Sequence, residues 1–106
     1  MDYELAKQLK DAGFPQRGFG MWWDGRVFTT KDIYSELYQP TLSELIEACG
    51  DELNIMQRCC IKEQYKFDGW CVAEGIDIDG AWEGIIVKDF SLIVAVAKFW
   101  LELNKK

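Results

Sequence analysis

Four carboxylates, Glu74, Asp77, Asp79 and Glu83, gather around one Asp-Gly turn. Such a group can hold calcium, or supply the acid and base of glycoside hydrolysis. The calcium reading fails on spacing. With Gly80 as the turn glycine, the first ligand position would fall on Gly75 and the last on Ile86, and neither side chain offers an oxygen. No cleft signal accompanies the carboxylates, so a solvated hairpin tip is the expected state. Cys49, Cys59, Cys60 and Cys71 are the four cysteines. Structural zinc sites pair C-x-x-C knuckles, whereas here Cys59 and Cys60 are adjacent and the other two stand far off. Neighbours on a strand point to opposite faces. The cysteines therefore read as small buried hydrophobes, with Cys49 on a helix stripe, Cys59 facing the core, and Cys60 or Cys71 on the polar face. No metal, cofactor or redox motif is expected.

The chain has no histidine. That removes the Ser-His-Asp and Cys-His arrangements, the His-containing zinc sites and the commonest general base near neutral pH. Carboxylates, lysines and tyrosines could still do acid–base work. A phosphate-binding glycine loop ending in Gly-Lys-Ser/Thr is missing too. The net charge is −6 and the isoelectric point about 4.6. Lysines and arginines are scattered, the closest to a cluster being Lys105-Lys106. Direct nucleic-acid binding is disfavoured, because phosphates are neutralised by clustered basic side chains. Mimicry of a nucleic acid would need rows of Asp and Glu on one face, and the scattered lysines speak against it.

The elements that must position these residues are legible in part. Residues 2–12 read as an amphipathic helix with Leu5, Ala6, Leu9 and Ala12 on one face. Gly13 suits the left-handed position after it, and Pro15 prevents continuation. Residues 18–30 read as a hairpin about Asp24-Gly25, a pair that favours a type I′ turn. That turn sets Trp23 opposite Arg26, Trp22 opposite Val27 and Met21 opposite Phe28. Residues 31–39 read as either a helical turn or a loop packing inward through Ile33, Leu37 and Tyr38. Thr41 and Glu44 form a capping-box pattern for a helix to Cys49, with Leu42, Leu45, Ile46 and Cys49 as its buried stripe.

Residues 55–87 read as a meander with turns at Asp68-Gly69 and Asp79-Gly80. A tight turn at 68–69 puts Cys59, Ile61, Tyr65 and Phe67 on one face with Trp70 and Val72. Arg58, Lys62, Gln64 and Lys66 take the other, and Glu63 breaks the alternation as a bulge or a strand end. The last helix is capped by Asp89 or Ser91 and runs to about Leu103. Leu92, Val96, Phe99 and Leu103 form one stripe, and Ile93, Ala97 and Trp100 a second beside it. A helix this apolar is covered on most sides.

At 106 residues, 49% apolar and 14% aromatic, the chain fits one domain, residues 1–106, able to bury roughly two-thirds of its unfolded surface. Met1-Asp2-Tyr3-Glu4 leads straight into the first helix without a secretory signal. The longest apolar run, residues 92–97, is far too short to span a bilayer. A cytoplasmic setting with reduced thiols is expected.

Five tryptophans stand in the chain. Trp22 and Trp23 are adjacent on a predicted strand and cannot share a face. One of them needs a second layer, a partner or water. Tryptophan anchors interfaces, so Trp22, with Val27 and Thr29 on the same predicted face, is the candidate interface.

Three segments, residues 4–16 (ELAKQLKDAGFPQ), 38–52 (YQPTLSELIEACGDE) and 95–106 (AVAKFWLELNKK), cover about two-fifths of the chain. They resemble a group of small proteins of unassigned function from bacteriophages, prophages and bacterial genomes. Relatives in that group begin the last helix with a Thr-Pro-Glu-Glu type start, where this chain has Lys88-Asp89-Phe90-Ser91. The resemblance implies phage descent and carries no site residues.

The combined expectation is an α+β domain, with three helices packed on one antiparallel sheet of about four or five strands. Element order is helix, hairpin, helix, hairpin, helix, and odd-numbered residues of the second hairpin face the helices. The expected role is protein contact, with a protein partner or a second copy of the chain. A small carboxylate enzyme is the alternative.

Overall fold

Helix α1 (Tyr3–Asp11) starts where Asp2 accepts a hydrogen bond from the Leu5 N–H at 2.9 Å. It ends in a Schellman motif. The Phe14 N–H reaches the Leu9 carbonyl at 2.9 Å and the Gly13 N–H the Lys10 carbonyl at 3.0 Å, satisfying carbonyls the helix end would leave open. The computed structural model describes residues 1–24, 27–29, 37–59, 69–76 and 78–105. The described chain continues through β1 (Met21–Asp24), β2 (Val27–Thr29), β3 (Leu37–Gln39), α2 (Leu42–Cys49) and a 3-10 turn at Gly50–Glu52. Then come β4 (Ile55–Cys59), β5 (Gly69–Ile76), β6 (Trp82–Asp89) and α3 (Leu92–Leu103).

The described residues are α+β, with three helices and antiparallel strand pairing. Among the described residues its strands divide into two sheets, ordered β2-β1-β3 and β4-β5-β6. The sequence pattern had suggested a single sheet. The difference arises at β3, a strand where the sequence pattern suits a helical turn or a loop. It pairs antiparallel with β1, Tyr38 against Trp22 and Leu37 against Trp23, and leads through buried Pro40 directly into the α2 cap. The free edge of β1 is thereby filled, and β4 starts a ladder of its own.

Both hairpins pair in a register other than the turn dipeptides suggest. In the first, Trp22 pairs with Thr29, Trp23 with Phe28 and Asp24 with Val27. The slip is by two residues, which leaves the alternation of Met21, Trp22 and Trp23 between faces unchanged. In the second, Cys59 pairs with Gly69 and Gln57 with Cys71. Gly69 is thus the first residue of β5, not a turn residue. The displacement from a tight turn at 68–69 is odd, so every side chain of β4 changes face. Cys59 now shares a face with Cys71 and Ala73, and Met56 and Arg58 with Trp70 and Val72. The odd-numbered residues of β4 accordingly lie away from Val72, which is part of the main core. Ile61, Tyr65, Phe67, the bulge or strand end expected at Glu63 and the polar positions Lys62, Gln64 and Lys66 lie outside the described residues.

Helix α3 is the hub. Ser91 caps it, accepting from the Val94 N–H at 3.5 Å, while Asp89 accepts from the Ser91 N–H and from Lys98 Nζ at 2.8 Å. Phe99, Val96 and Ala97 are fully buried, and with Leu5, Leu9, Phe14, Leu45, Cys49, Val72 and Trp100 they form the main core. Phe14 meets Trp100 edge to face at 5.0 Å between centroids. Truncating a fully buried large side chain such as Phe99 to alanine costs about 3–5 kcal/mol.

Candidate interaction surface

The capping box of α2 does more than start a helix. The Glu44 N–H donates to Thr41 Oγ1 at 3.2 Å and the Thr41 N–H to Glu44 Oε1 at 2.8 Å. The same carboxylate accepts the Tyr38 hydroxyl proton through Oε1 and the Phe19 N–H through Oε2 at 3.1 Å. Tyr38 is fully buried on β3, and its hydroxyl oxygen accepts from the Gly20 N–H at 2.6 Å. One carboxylate thus ties α2, β3 and the approach to β1 together. A Cβ on Gly20 would stand 2.0 Å from the Gln39 carbonyl oxygen, so the chain passes there only as glycine. Burial pushes the Tyr38 hydroxyl up to about 12, helped by the bond to Glu44 and its charge and opposed by the Gly20 N–H. For Glu44, burial works upward, but the bonds from Tyr38, Thr41 and Phe19 outweigh it and hold the carboxyl below its ordinary value. A tyrosine so reluctant to ionise, bonded to a carboxylate with its acceptors occupied, is a structural pin and a poor proton-transfer pair.

The two adjacent tryptophans divide as the strand period requires. Trp23 meets Tyr3 of α1 edge to face at 5.9 Å and donates through Nε1 to Gln39 Oε1 at 3.2 Å. Trp22 is half-buried, its ring tilted against Tyr38 at 5.1 Å. The third strand therefore supplies part of the cover that Trp22 needed. Val27 and Thr29, the other two residues of the expected interface, have a described backbone paired to Asp24 and Trp22. Their side chains lie outside the described residues.

At the opposite end of the second sheet, apolar side chains stand in water. Ile76 closes β5 opposite Trp82. Ile76 is 49% exposed and Ile78, in the turn, 100% exposed. Behind them the hairpin carries a bulge. Between the pairs Ala73–Ile86 and Gly75–Glu83, Gly84 and Ile85 oppose the single Glu74. Gly84 takes φ +74°, and a Cβ there would lie 1.7 Å from Glu74 Oε2. That oxygen accepts the Ile85 N–H at 3.1 Å. Asn54 completes the support, donating from Nδ2 to the Glu74 carbonyl at 2.8 Å and to the Asp51 carbonyl at 2.9 Å.

Comparison with protein-family models, with curated proteins and with solved structures finds no match.

The described carboxylates near this hairpin, Glu74, Asp79 and Glu83, do not converge. Glu74 is spent on the Ile85 N–H. Glu83 pairs with Gly75 and so lies on the other face of the sheet from Glu74. Asp77 lies outside the described residues, and Asp79 is exposed in the turn. Among the described residues no group of three or more His, Cys, Asp or Glu is placed to hold a metal ion. An open groove of about 1060 Å³ runs between the end of α1, β6 and the last turns of α3, past Asp11, Lys88, Lys98 and Glu102. Two of its lysines are engaged, Lys98 with Asp89 at 2.8 Å and Lys105 with Glu102 at 2.6 Å.

Cys49 lies in the core as its helix stripe predicts, and burial pushes its thiol up to about 11. Of Cys60 or Cys71, one of which is expected on the polar face, Cys71 is not the exposed one. It is 1% exposed, on the central strand of its sheet, where neighbouring strands shield both sides. Cys59 is half-buried at the end of β4, and Cys60 lies outside the described residues. No helix among the described residues is long and apolar enough to cross a membrane.

The sequence reading missed Ile76 and Ile78. Their signal was present. Ile76-Asp77-Ile78-Asp79 carries the strand alternation on into a turn, past the last residue that the sheet and α3 can cover. The acidic neighbours drew the reading toward a solvated tip.

Proposed function

We propose that the chain is a small acidic accessory protein of phage or prophage descent, acting in the cytoplasm by binding protein and without catalysis of its own. The observation that carries this reading is the end of the β5–β6 hairpin. Ile78 is wholly exposed and Ile76 half exposed beside Trp82, on a strand pair whose Gly84 bulge is bonded by the Glu74 carboxylate. Burying an isoleucine side chain is worth about 1.5–3 kcal/mol, so a partner that covers both gains a substantial part of its affinity there. Asp79, exposed in the same turn, sets an acidic charge beside that apolar centre, and a polar rim about an apolar centre is the arrangement of a protein interface. The three segments that resemble small phage and prophage proteins support the proposed descent. The absence of histidine and the splitting of the carboxylates across the sheet support a non-catalytic role.

A second copy of the chain is the first partner to test. Light scattering across a concentration series reads it directly. The expected result is a mass above that of one chain which returns to one chain in Ile78→Asp. A single-chain mass for the wild type at every concentration would exclude self-association through the hairpin end.

A further inference from the structure

We propose that Cys59 and Cys71 form a reversible disulfide that fixes β4 to β5 in the second sheet. The strand register places them on one face of neighbouring strands, one diagonal step apart, since Gln57 pairs with Cys71 and Cys59 with Gly69. The residue directly across from Cys59 is a glycine. No side chain occupies the position Cys59 would otherwise face, so its sulfur is free to lean along the diagonal toward Cys71. Diagonal neighbours on a sheet stand farther apart than direct ones, and a disulfide needs its Cα atoms within about 7 Å. The remaining gap is small, because the Cys59 and Cys71 side chains already interact, by charge and by a side-chain hydrogen bond. The thiols already sense one another. Burial chiefly keeps the Cys71 proton on, and nearby Cys59 adds to that effect.

The two sulfurs are unequal in a way that assigns their roles. Cys59 is half-buried and open to a small oxidant, and Cys71 is 1% exposed. Lys88 pairs with Cys71 from β6, and its charge favours the Cys71 thiolate. With a low-molecular-weight disulfide such as oxidised glutathione, the Cys59 thiolate attacks one glutathione sulfur. A Cys59–glutathione bond forms, and one glutathione thiol leaves with a proton. The Cys71 thiolate then attacks the Cys59 sulfur and expels the second glutathione, which takes up the other proton. Two protein thiols are oxidised and one glutathione disulfide is reduced. The product closes residues 60–70 into a covalent loop and fixes β4 on β5.

The test is peptide mapping without reduction, after incubating the full chain with oxidised glutathione. Trypsin leaves Cys59 and Cys60 together on residues 59–62 and Cys71 on residues 67–88, so the experiment uses Cys60→Ser beside the wild type. The expected product in both is a cross-link between these two peptides, lighter by two hydrogens and reversed by dithiothreitol. Cys71→Ser should instead hold glutathione on Cys59 and accumulate it. A cross-link that disappears in Cys60→Ser would assign the bond to Cys60 and overturn the proposal. A stable glutathione adduct on wild-type Cys59, or no reaction at any cysteine under conditions where Cys71→Ser is modified, would overturn it too.

Discussion

Tyr38 and Ile78 are each in the surroundings that their chemistry resists, and the molecule treats them oppositely. Tyr38 carries a hydroxyl into the core, where it is 0% exposed, and bonds to Glu44 and the Gly20 N–H satisfy it. Ile78 carries a branched hydrocarbon into water, where it is 100% exposed. An unsatisfied buried hydroxyl costs about 1–3 kcal/mol, so folding itself demands the first arrangement. Nothing in the folding of an isolated chain gains from the second. The polar corner is therefore read as architecture, and the apolar hairpin end as a surface made for contact.

Breaking the corner should give the largest effects. Glu44→Ala removes the capping box, the acceptor of the Tyr38 hydroxyl and the acceptor of the Phe19 N–H together. Bonds to a charged group contribute about 1.5–3 kcal/mol and a cap about 1 kcal/mol, so a loss of about 3 kcal/mol is expected in urea unfolding. Tyr38→Phe should cost less, about 1–2 kcal/mol, because the ring keeps its packing on Trp22. A loss below about 0.5 kcal/mol for Glu44→Ala would mean that the corner does not join α2 to the first sheet.

Titration sharpens the same contrast. The Tyr38 hydroxyl is raised from 10.0 to about 12. Its protonated form is favoured by folding, so its contribution is full below pH 10 and is lost as pH rises through about 12. The stability gap between the wild type and Tyr38→Phe should close across that alkaline window. Glu44 is lowered from 4.5. Its contribution is present above about pH 4.5 and is lost as pH falls through the lower folded-state value. Glu44→Gln should therefore flatten the acid limb of stability measured by urea melts. The smallest change in stability is expected at the other pole. Ile78→Asp should shift unfolding by no more than about 0.5 kcal/mol, while its effect on association is large.

Local signals in the sequence survived into the structure where the chemistry was short-ranged. The Thr41–Glu44 box, the Gly13 stop and the two stripes of α3 lie within a turn or two of their own helices, so nothing distant had to be known. Strand register failed because a turn dipeptide competes with the whole ladder. In the second hairpin, burying Val72 against α3 and placing Gly69 beside Cys59 prevailed over the local preference of Asp68-Gly69. β3 was missed because its three residues, Leu37–Gln39, show too few alternations to mark a strand. Glu44 was legible as a cap, but its bonds to Tyr38 and Phe19 depend on strands brought in from afar. The hairpin end was hidden for a similar reason, since exposure is set by where α3 stops covering the sheet.

The hairpin end carries the functional account, and light scattering on the wild type beside Ile78→Asp probes it most directly. The account predicts a concentration-dependent assembly for the wild type and a folded single chain for the variant, with matching unfolding midpoints at dilutions where both are single chains. Equal masses for the two proteins at every concentration would contradict it.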